Sequence, residues 1–585
     1  MSATSSESSP STKTAAGSAS LILLTLASAQ FLMTLDTSVM NVSIATVAKD
    51  VGTTVTGIQT AITLYTLVMA AFMITGGKIG QILGRKRAFT IGAVIYGCGS
   101  FTTAIAPNLP VLLFGWSFLE GVGAVLILPA IVALVATNFG REDRPRAYGL
   151  VASAGAIAVA AGPLIGGLFT TYASWRWVFA GEVIIVVAIL ALAGRVADTP
   201  GDRSVKLDLV GTALSAAGLG LVVYGVLRSG SWGFVQPKPN APKWFGLSPV
   251  IWLITGGVVV LLMFLAWEDR LIRQGKEPLI NLPRMRNPVL RGGLMAFTFQ
   301  YLLQAGLFFV IPLFLSVALG LSAIATGVRL LPLSITLLLA AVGVPRLFPN
   351  VSPRFVVRVG FLALFAAIVV MIALLDISAG PEIVTWPMLL AGLGIGALAS
   401  QLGAVTVSSV PDERSGEVGG LQNTVTNLGA SIGTALAGAV LISALTSSFF
   451  TNLANNPQVP PQAVSQAQVE LTSGVPFVSN ADLRTALDKA NVSPTVADAV
   501  VQENADARIN GLRAALAVLA LMAALAFVAA RRLPRVQPGN PEFAEAAAVR
   551  PAEQQAWAAG RSAALADEAP QARHRRAPSA RRPRH

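Results

Sequence analysis

The chain has 585 residues, of which 54% are hydrophobic and only 12% charged, about half the charged share of an ordinary soluble domain. A soluble protein of this length needs far more charge to cover its surface, so that class is excluded. The net charge of +13 does not point to nucleic acid either, because the positives gather in short loops and in the final stretch.

Residues 1–19 are Ser/Thr-rich and nearly uncharged, without the basic start and cleavage site of a signal peptide, and are expected to form a disordered cytoplasmic tail. Apolar windows then recur. Each approaches the roughly 20 residues that cross about 30 Å of hydrocarbon as helix. They predict helices near 20–44, 58–79, 88–106, 110–136, 147–171, 177–195, 208–228, 249–267, 291–316, 323–345, 355–375, 383–405, 419–446 and 510–530. The fold class is therefore all-α integral membrane, with about fourteen spans. Alternate loops carry Arg85-Lys86-Arg87, Arg141/Arg144/Arg146, Arg203/Lys206, Arg270/Arg273/Lys276/Arg284/Arg286 and Arg354/Arg358. The opposite loops 106–110, 317–322 and 376–382 carry no positive residue. That asymmetry predicts a plasma-membrane protein with both termini cytoplasmic. The one sizeable external loop is expected at 447–508, with Asn480 capping a helix over 481–490 and Pro494 opening a second short one. Residues 531–585 are rich in Ala, Pro and Arg, and end Arg573-His574-Arg575-Arg576 and Arg581-Arg582-Pro583-Arg584. They are expected to be a disordered cytoplasmic tail held to anionic lipid at the membrane surface.

An internal repeat narrows the class. Gly149-Leu150, Gly162 and Gly167 follow a charged loop, and Gly420-Leu421, Gly433 and Gly438 follow another at the same offsets. Small residues at such spacing let helices approach closely. A match between the fifth and thirteenth helices implies two parallel six-helix bundles, 20–200 and 276–530, with a two-helix hairpin, 201–275, between them. Parallel halves around a midplane site are how alternating-access carriers are built.

The motifs on this frame resemble those of the major facilitator superfamily, in its fourteen-helix drug:proton antiporter group, over about residues 20 to 530. Leu35-Asp36-Thr37-Ser38-Val39-Met40-Asn41-Val42 is similar to the group's LDxTVxNVALP signature, with Ala45 in place of its proline. Gly77-Lys78-Ile79-Gly80-Gln81-Ile82-Leu83-Gly84-Arg85-Lys86-Arg87 resembles the loop signature GxLxDRxGRK, with Gln81 for the acid and Ile82 for the next arginine. Gly162-Pro163-Leu164-Ile165-Gly166-Gly167 is similar to the antiporter GPxxGG motif, and Trp175-Arg176-Trp177 follows it. Glu277-Pro278-Leu279-Ile280 and Gly327 to Leu331-Pro332 also follow the group's pattern. The resemblance implies proton-driven export of amphipathic or lipophilic, possibly cationic, compounds, or dedicated export of an endogenous metabolite or lipid by the same machinery. The group's arginine in helix 4 is Ser117 here, so coupling cannot run through it.

Proton coupling needs a titratable group inside the bundle. Both histidines, His574 and His585, lie in the tail, and the single cysteine, Cys98, can form no intrachain disulfide. The carboxylates Asp36, Glu120 and Glu182 remain. A charged residue at mid-bilayer costs about 2.5–3.5 kcal/mol on insertion scales, so such groups tend to face a cavity or a partner. Asp36 also sits in the signature; its alternative role is as a hydrogen-bond partner of Thr34, Thr37 or Asn41. Glu120 could titrate or pair within the bundle, and Glu182 could titrate or be solvated near the outer interface. Neutral polar residues mark either a substrate path or interhelical hydrogen bonds: Gln30, Gln59, Thr63, Tyr65, Gln300, Gln304, Gln401, Gln422, Asn423 and Asn427. Gly77, Gly84, Arg85, Lys86 and Arg87 are expected to set topology and gating, and Gly162, Pro163, Gly166 and Gly167 to shape helix 5. No nucleophile, metal or cofactor motif is present, so an enzyme is not expected. The partners are a small-molecule substrate, protons and membrane lipids, with the chain acting as a monomer.

Overall fold

The computed structural model describes residues 12–543 apart from 140–143, 199, 203–205, 239–240, 277, 281–286, 411–414, 463, 466–470, 472–474, 491, 539 and 541. The far tail 544–585, the first residues of the chain, and Arg141, Arg203, Arg284 and Arg286 lie outside them. Among the described residues the fold is helical throughout, with one isolated bridge, Trp244 to Leu247. In chain order the helices are α1 (Thr12–Asp50), α2 (Val55–Leu83) and α3 (Arg85–Ala104). Next come α4 (Gly121–Asn138), which continues the π-helical stretch Leu113–Glu120, then α5 (Arg144–Tyr172) and α6 (Arg176–Ala193). A hairpin of α7 (Leu209–Trp232) and α8 (Pro249–Arg273) follows. The rest are α9 (Pro288–Leu313), α10 (Ala323–Leu347), α11 (Pro353–Leu374), α12 (Thr385–Val407), α13 (Ser415–Asn455), the short α14 (Asn480–Lys489) and α15 (Pro494–Ala529).

Side-chain caps and glycines set the boundaries. Thr54, Asp208, Ser248, Asn287 and Ser322 each accept a backbone N–H of the first turn that follows them, satisfying donors that the helix itself leaves free. Gly84 separates α2 from α3 at φ +97°, a region closed to most side chains. Twelve helical spans are long and apolar enough to cross a membrane, or thirteen with the bent pair Ser153–Val159 and Ala161–Tyr172. The sequence expectation was fourteen. The twenty-residue α3 is not among those spans; it begins with Arg85, Lys86 and Arg87 and is rich in Gly, Ser and Thr.

The segment expected at 447–508 is shorter than predicted, because α13 runs on to Asn455 and α15 already begins at Pro494. Pro494 therefore opens the last long helix rather than a separate short one. The cap of α14 is Ser479, whose side chain accepts from Asp482 N, and not Asn480. Arg508, almost wholly buried, fastens this segment by donating to Val317 O at 3.3 Å, to Val478 O at 2.8 Å and to Asn480 Oδ1.

The glycine repeat reappears as matched contacts. A Cβ on Gly162 of α5 would meet Ser38 of α1 at 2.3 Å, and one on Gly433 of α13 would meet Leu302 O of α9 at 2.2 Å. Five residues on, Gly167 lies against Ala323 O of α10 and Gly438 against the Gln59 side chain of α2. The second and third glycines of each repeat thus touch corresponding helices of their own and the opposite set, whereas Gly420 meets nothing within 4 Å. α5–α10 and α2–α13 bring the two sets together towards the end of the bundle where α1 finishes at Asp50. There Thr171 Oγ1 accepts Ile324 N at 3.0 Å, Gln59 Nε2 donates to Thr434 O and Ala435 O at 3.1 and 3.3 Å, and Ser431 donates to Thr63 O at 3.0 Å.

A methyl group at Gly327 would meet Pro163 O at 2.2 Å across the α5–α10 contact, whereas one at Gly220 meets nothing within 4 Å. Gly327→Ala should therefore lower stability by about 1–3 kcal/mol, read as a lower unfolding temperature in detergent. Gly220→Ala should leave that temperature unchanged or raise it slightly.

Candidate functional site

α1, the π-helical stretch that leads into α4, and α6 carry Asp36, Glu120 and Glu182 to one place. One carboxylate oxygen from each lies within 4.8 Å of the others, and all three residues are essentially inaccessible. Glu182 is thus not solvated near an interface. The local chain explains the convergence. Gly99 and Gly123 let α3 and α4 come so close that a Cβ at Gly99 would meet the Glu120 side chain at 2.6 Å and one at Gly123 would meet Tyr96 at 2.7 Å. Glu120 ends the π-helical stretch, a local widening of the helix frequent at functional positions. At the Asp50 end, α1 and α6 are tied together by Trp175 Nε1 and Arg176, both on Asp50 Oδ2 at 3.0 and 3.2 Å, while Arg176 also donates to Ala106 O at the end of α3. This gives the Trp175-Arg176-Trp177 motif a structural role.

Each carboxylate has one oxygen served by a donor. Trp116 Nε1 donates to Asp36 Oδ1 at 2.7 Å, Thr103 to Glu120 Oε1 at 3.0 Å, and Ser100 and Tyr96 to Glu182 Oε2 at 3.1 and 3.4 Å. The other oxygens, Asp36 Oδ2, Glu120 Oε2 and Glu182 Oε1, have no hydrogen-bond partner, nor has the Tyr65 hydroxyl. Tyr65 lies flat on Trp116, ring centroids 5.1 Å apart. Among the described residues no Lys or Arg forms an ion pair with the cluster. Two ionised carboxylates at that separation repel by about 3–4 kcal/mol even at an effective dielectric of about 20. Three carboxyl oxygens thus lie together without a hydrogen-bond donor or a cationic side chain among the described residues, so the ionisation of one group disfavours that of the others.

The alternative partners of Asp36 bond elsewhere: Thr34 to Gln30 O at 3.0 Å and Asn41 to Thr37 O at 2.8 Å. Trp116, Ser100, Thr103 and Tyr96 went unnoticed in the sequence. The usable signal was Trp116, because an indole N–H inside an apolar span needs an acceptor. Ser117, which replaces the group's arginine, donates to Ala61 O of α2 at 2.8 Å.

The neutral polar residues do not form one site. Gln59 and Thr63 bridge α2 to α13, and Tyr65 packs beside the cluster. Gln30 reaches Thr34 at 3.3 Å within α1, and Asn427 Nδ2 donates to Asn423 O at 2.8 Å within α13. Gln300 is buried with its carbonyl oxygen unpartnered, while Gln304 and Gln422 are half-buried. Gln401 lies at the opposite end, accepting from Gln537 Nε2 at 3.2 Å. There too Arg85 donates to Gly77 O at 2.9 Å, Lys78 to Pro278 O, and Lys86 to Gly194 O at 3.0 Å, while the Lys86 N–H is accepted by Asp198. Gly77 lies near Pro129 of α4, Gly166 packs on Val39 of α1, Pro163 sits inside α5, and Arg87 is exposed.

The Major Facilitator Superfamily model matches residues 26–434. The chain belongs to this family. It is thus a multi-pass membrane transporter rather than an enzyme, related to drug and antibiotic efflux proteins. It is 30% identical over 429 residues to the puromycin resistance protein pur8 of Streptomyces alboniger, covering 72% of this chain and 81% of that protein. It is 27% identical over 450 residues to the tetracenomycin C resistance and export protein of Streptomyces glaucescens, covering 75% and 79%. Among solved structures, a bacterial homolog of the human lysosomal transporter Spinster, inward-facing and unoccupied, superposes with a TM-score of 0.55 at 15% identity, over 88% of this chain and 98% of that one. That likeness speaks to the fold.

Trp116→Phe keeps the aromatic stack but strips Asp36 of its donor, and should cost about 1–3 kcal/mol of stability. In an Asp36→Asn background the same change should cost clearly less, a non-additivity to be read from thermal unfolding of the four proteins of the cycle.

Proposed function

We propose that this protein exports amphipathic or lipophilic, possibly cationic, compounds in exchange for protons by alternating access, with Asp36, Glu120 and Glu182 as the proton-carrying group. The observation that carries the reading is a buried cluster of three carboxylates without a counter-cation. Protons are preferred to a metal because one oxygen of each carboxylate already accepts a hydrogen bond. What remains is far short of the six to eight oxygens that a calcium ion takes. Relatives named for resistance and export support the direction of transport.

On this reading the chain has fourteen spans, α3 and the bent α5 included, as two six-helix bundles, 20–200 and 276–530, around the hairpin 201–275. Both termini face the cytoplasm, the basic tail rests on anionic lipid, and the chain works as a monomer. The α5–α10 and α2–α13 contacts then close the external end. Gln30, Gln300, Gln304, Gln422, Asn423 and Asn427 are the candidates to meet the substrate from the cytoplasmic side. Gln59, Thr63 and Tyr65 are reached once the outer contacts part, and Gln401 stands at the inner rim.

Asp36→Asn should abolish substrate accumulation driven by a proton gradient in everted vesicles, with expression and unfolding temperature close to those of the parent. Undiminished gradient-driven accumulation would remove Asp36 from the coupling group. A second reading, dedicated export of one endogenous metabolite or lipid, is favoured by the relative named for tetracenomycin C alone. A panel of chemically unrelated amphiphiles separates the two: transport of several supports the first, and of a single compound the second.

A further inference from the structure

We infer that a cavity at the Asp50 end of the bundle, away from the carboxylate cluster, binds the anionic headgroup of a membrane lipid. The cavity, about 490 Å³, lies where the last turns of α7 meet the start of α2 and the middle of α13. Its walls offer the hydroxyl of Thr56, while those of Thr60 and Ser231 donate to Thr56 O and Arg228 O at 2.9 and 3.1 Å. Among the described lining residues Arg228 is the one charged side chain. Arg228 is held ready. Its guanidinium stacks over Tyr224 and Trp232 at 5.3 and 5.4 Å, and its Nε donates to the Tyr224 hydroxyl at 3.2 Å. Its two terminal nitrogens have no hydrogen-bond or ion-pair partner among the described residues. A fixed guanidinium with two free donor nitrogens is suited to a phosphate oxygen.

The surroundings decide for a lipid over a soluble anion. The hairpin that forms one wall is the least enclosed part of the molecule: 28% of the apolar window of α7 and 17% of that of α8 are buried. Beside the lining residues Ala241 and Pro242, the α7–α8 loop presents Trp244 and Phe245 outward, and the first turn of α8 presents Trp252. Phe245 is 92% exposed at φ +51°, a conformation costly for a bulky residue, and Trp252 Nε1 holds Trp244 O at 3.0 Å. Aromatic rings turned outward at the end of a span mark the headgroup layer of a bilayer. The cavity therefore opens at headgroup depth. Gln59, which closes α2 against α13, also lines it, so a bound headgroup bridges α7 and α2 beside that contact.

The inference does not rest on transport and is tested without it. The full chain is purified in neutral detergent and titrated with spin-labelled phosphatidylglycerol or phosphatidylcholine. The parent should prefer phosphatidylglycerol, Arg228→Gln should lose about fivefold of that affinity, the order expected for one arginine at a membrane surface, and Arg228→Lys should keep most of it. An unchanged preference in a folded Arg228→Gln protein overturns the assignment. Displacement of the lipid by millimolar glycerol phosphate overturns the lipid in favour of a soluble anion. Should Arg228→Gln not fold, Thr60→Leu, which narrows the cavity and leaves Arg228 in place, must lower the same affinity or the inference fails.

Discussion

Three carboxyl groups are buried together with no cationic side chain beside them among the described residues, and much of the first set of helices is arranged around keeping them there. Burying even one charge without a partner is expensive. The protein offsets this by serving one oxygen of each group from a neighbouring helix: Trp116 for Asp36, Thr103 for Glu120, and Ser100 with Tyr96 for Glu182. Those donors must hold their distance, which is why α3 and α4 meet through glycines and why Arg176 and Trp175 tie α1 and α6 together on Asp50. The remaining oxygens, Asp36 Oδ2, Glu120 Oε2 and Glu182 Oε1, are left without a donor. A cluster saturated with hydrogen bonds, or paired with an arginine, would be stable and inert.

The glycine repeat answers a second constraint, the close approach of two sets of helices. α5 and α13 each use one glycine against their own set and another, five residues on, against the opposite set. Across the sets Gly167 meets the Ala323 carbonyl and Gly438 the Gln59 side chain, with hydrogen bonds donated by Gln59 and Ser431 and accepted by Thr171. Such bonds are worth only about 0.6 kcal/mol on average between membrane helices. Close packing therefore carries more of this interface than hydrogen bonding, while Gly162 on Ser38 and Gly433 on Leu302 keep each set intact.

Much of this was legible in the sequence. Apolar windows located the helices, the glycine offsets predicted the paired contacts, and Asp36, Glu120 and Glu182 stood out because carboxylates in apolar spans are costly. Their convergence was not legible. It depends on the rotation of three helices about their axes and on a π-helical stretch that no periodicity announces. Gln59 and Gln401 show the limit for neutral polar residues. The same side chain in the same kind of span serves as a bridge between helices or as a rim contact for the tail segment, and only the packing decides. The terminal segment was misjudged because α15 stays helical from Pro494 through polar residues to the apolar span, and hydropathy marks only its second half.

Three of the departures from the antiporter signatures, Gln81, Ile82 and Ser117, bear on charge. Ser117 stands where the resemblance implies an arginine, and its hydroxyl is spent on Ala61 O of α2, one turn from Glu120. Gln81 stands where the loop signature has an acid, and its backbone carbonyl accepts Asp202 N at 2.8 Å. An arginine at position 117 would set a fixed positive charge one turn from Glu120. Among the described residues no such charge faces the cluster, and ionised carboxylates this close repel one another. The proposed reading supplies the missing charge as protons, which neutralise Asp36, Glu120 and Glu182 without a resident cation.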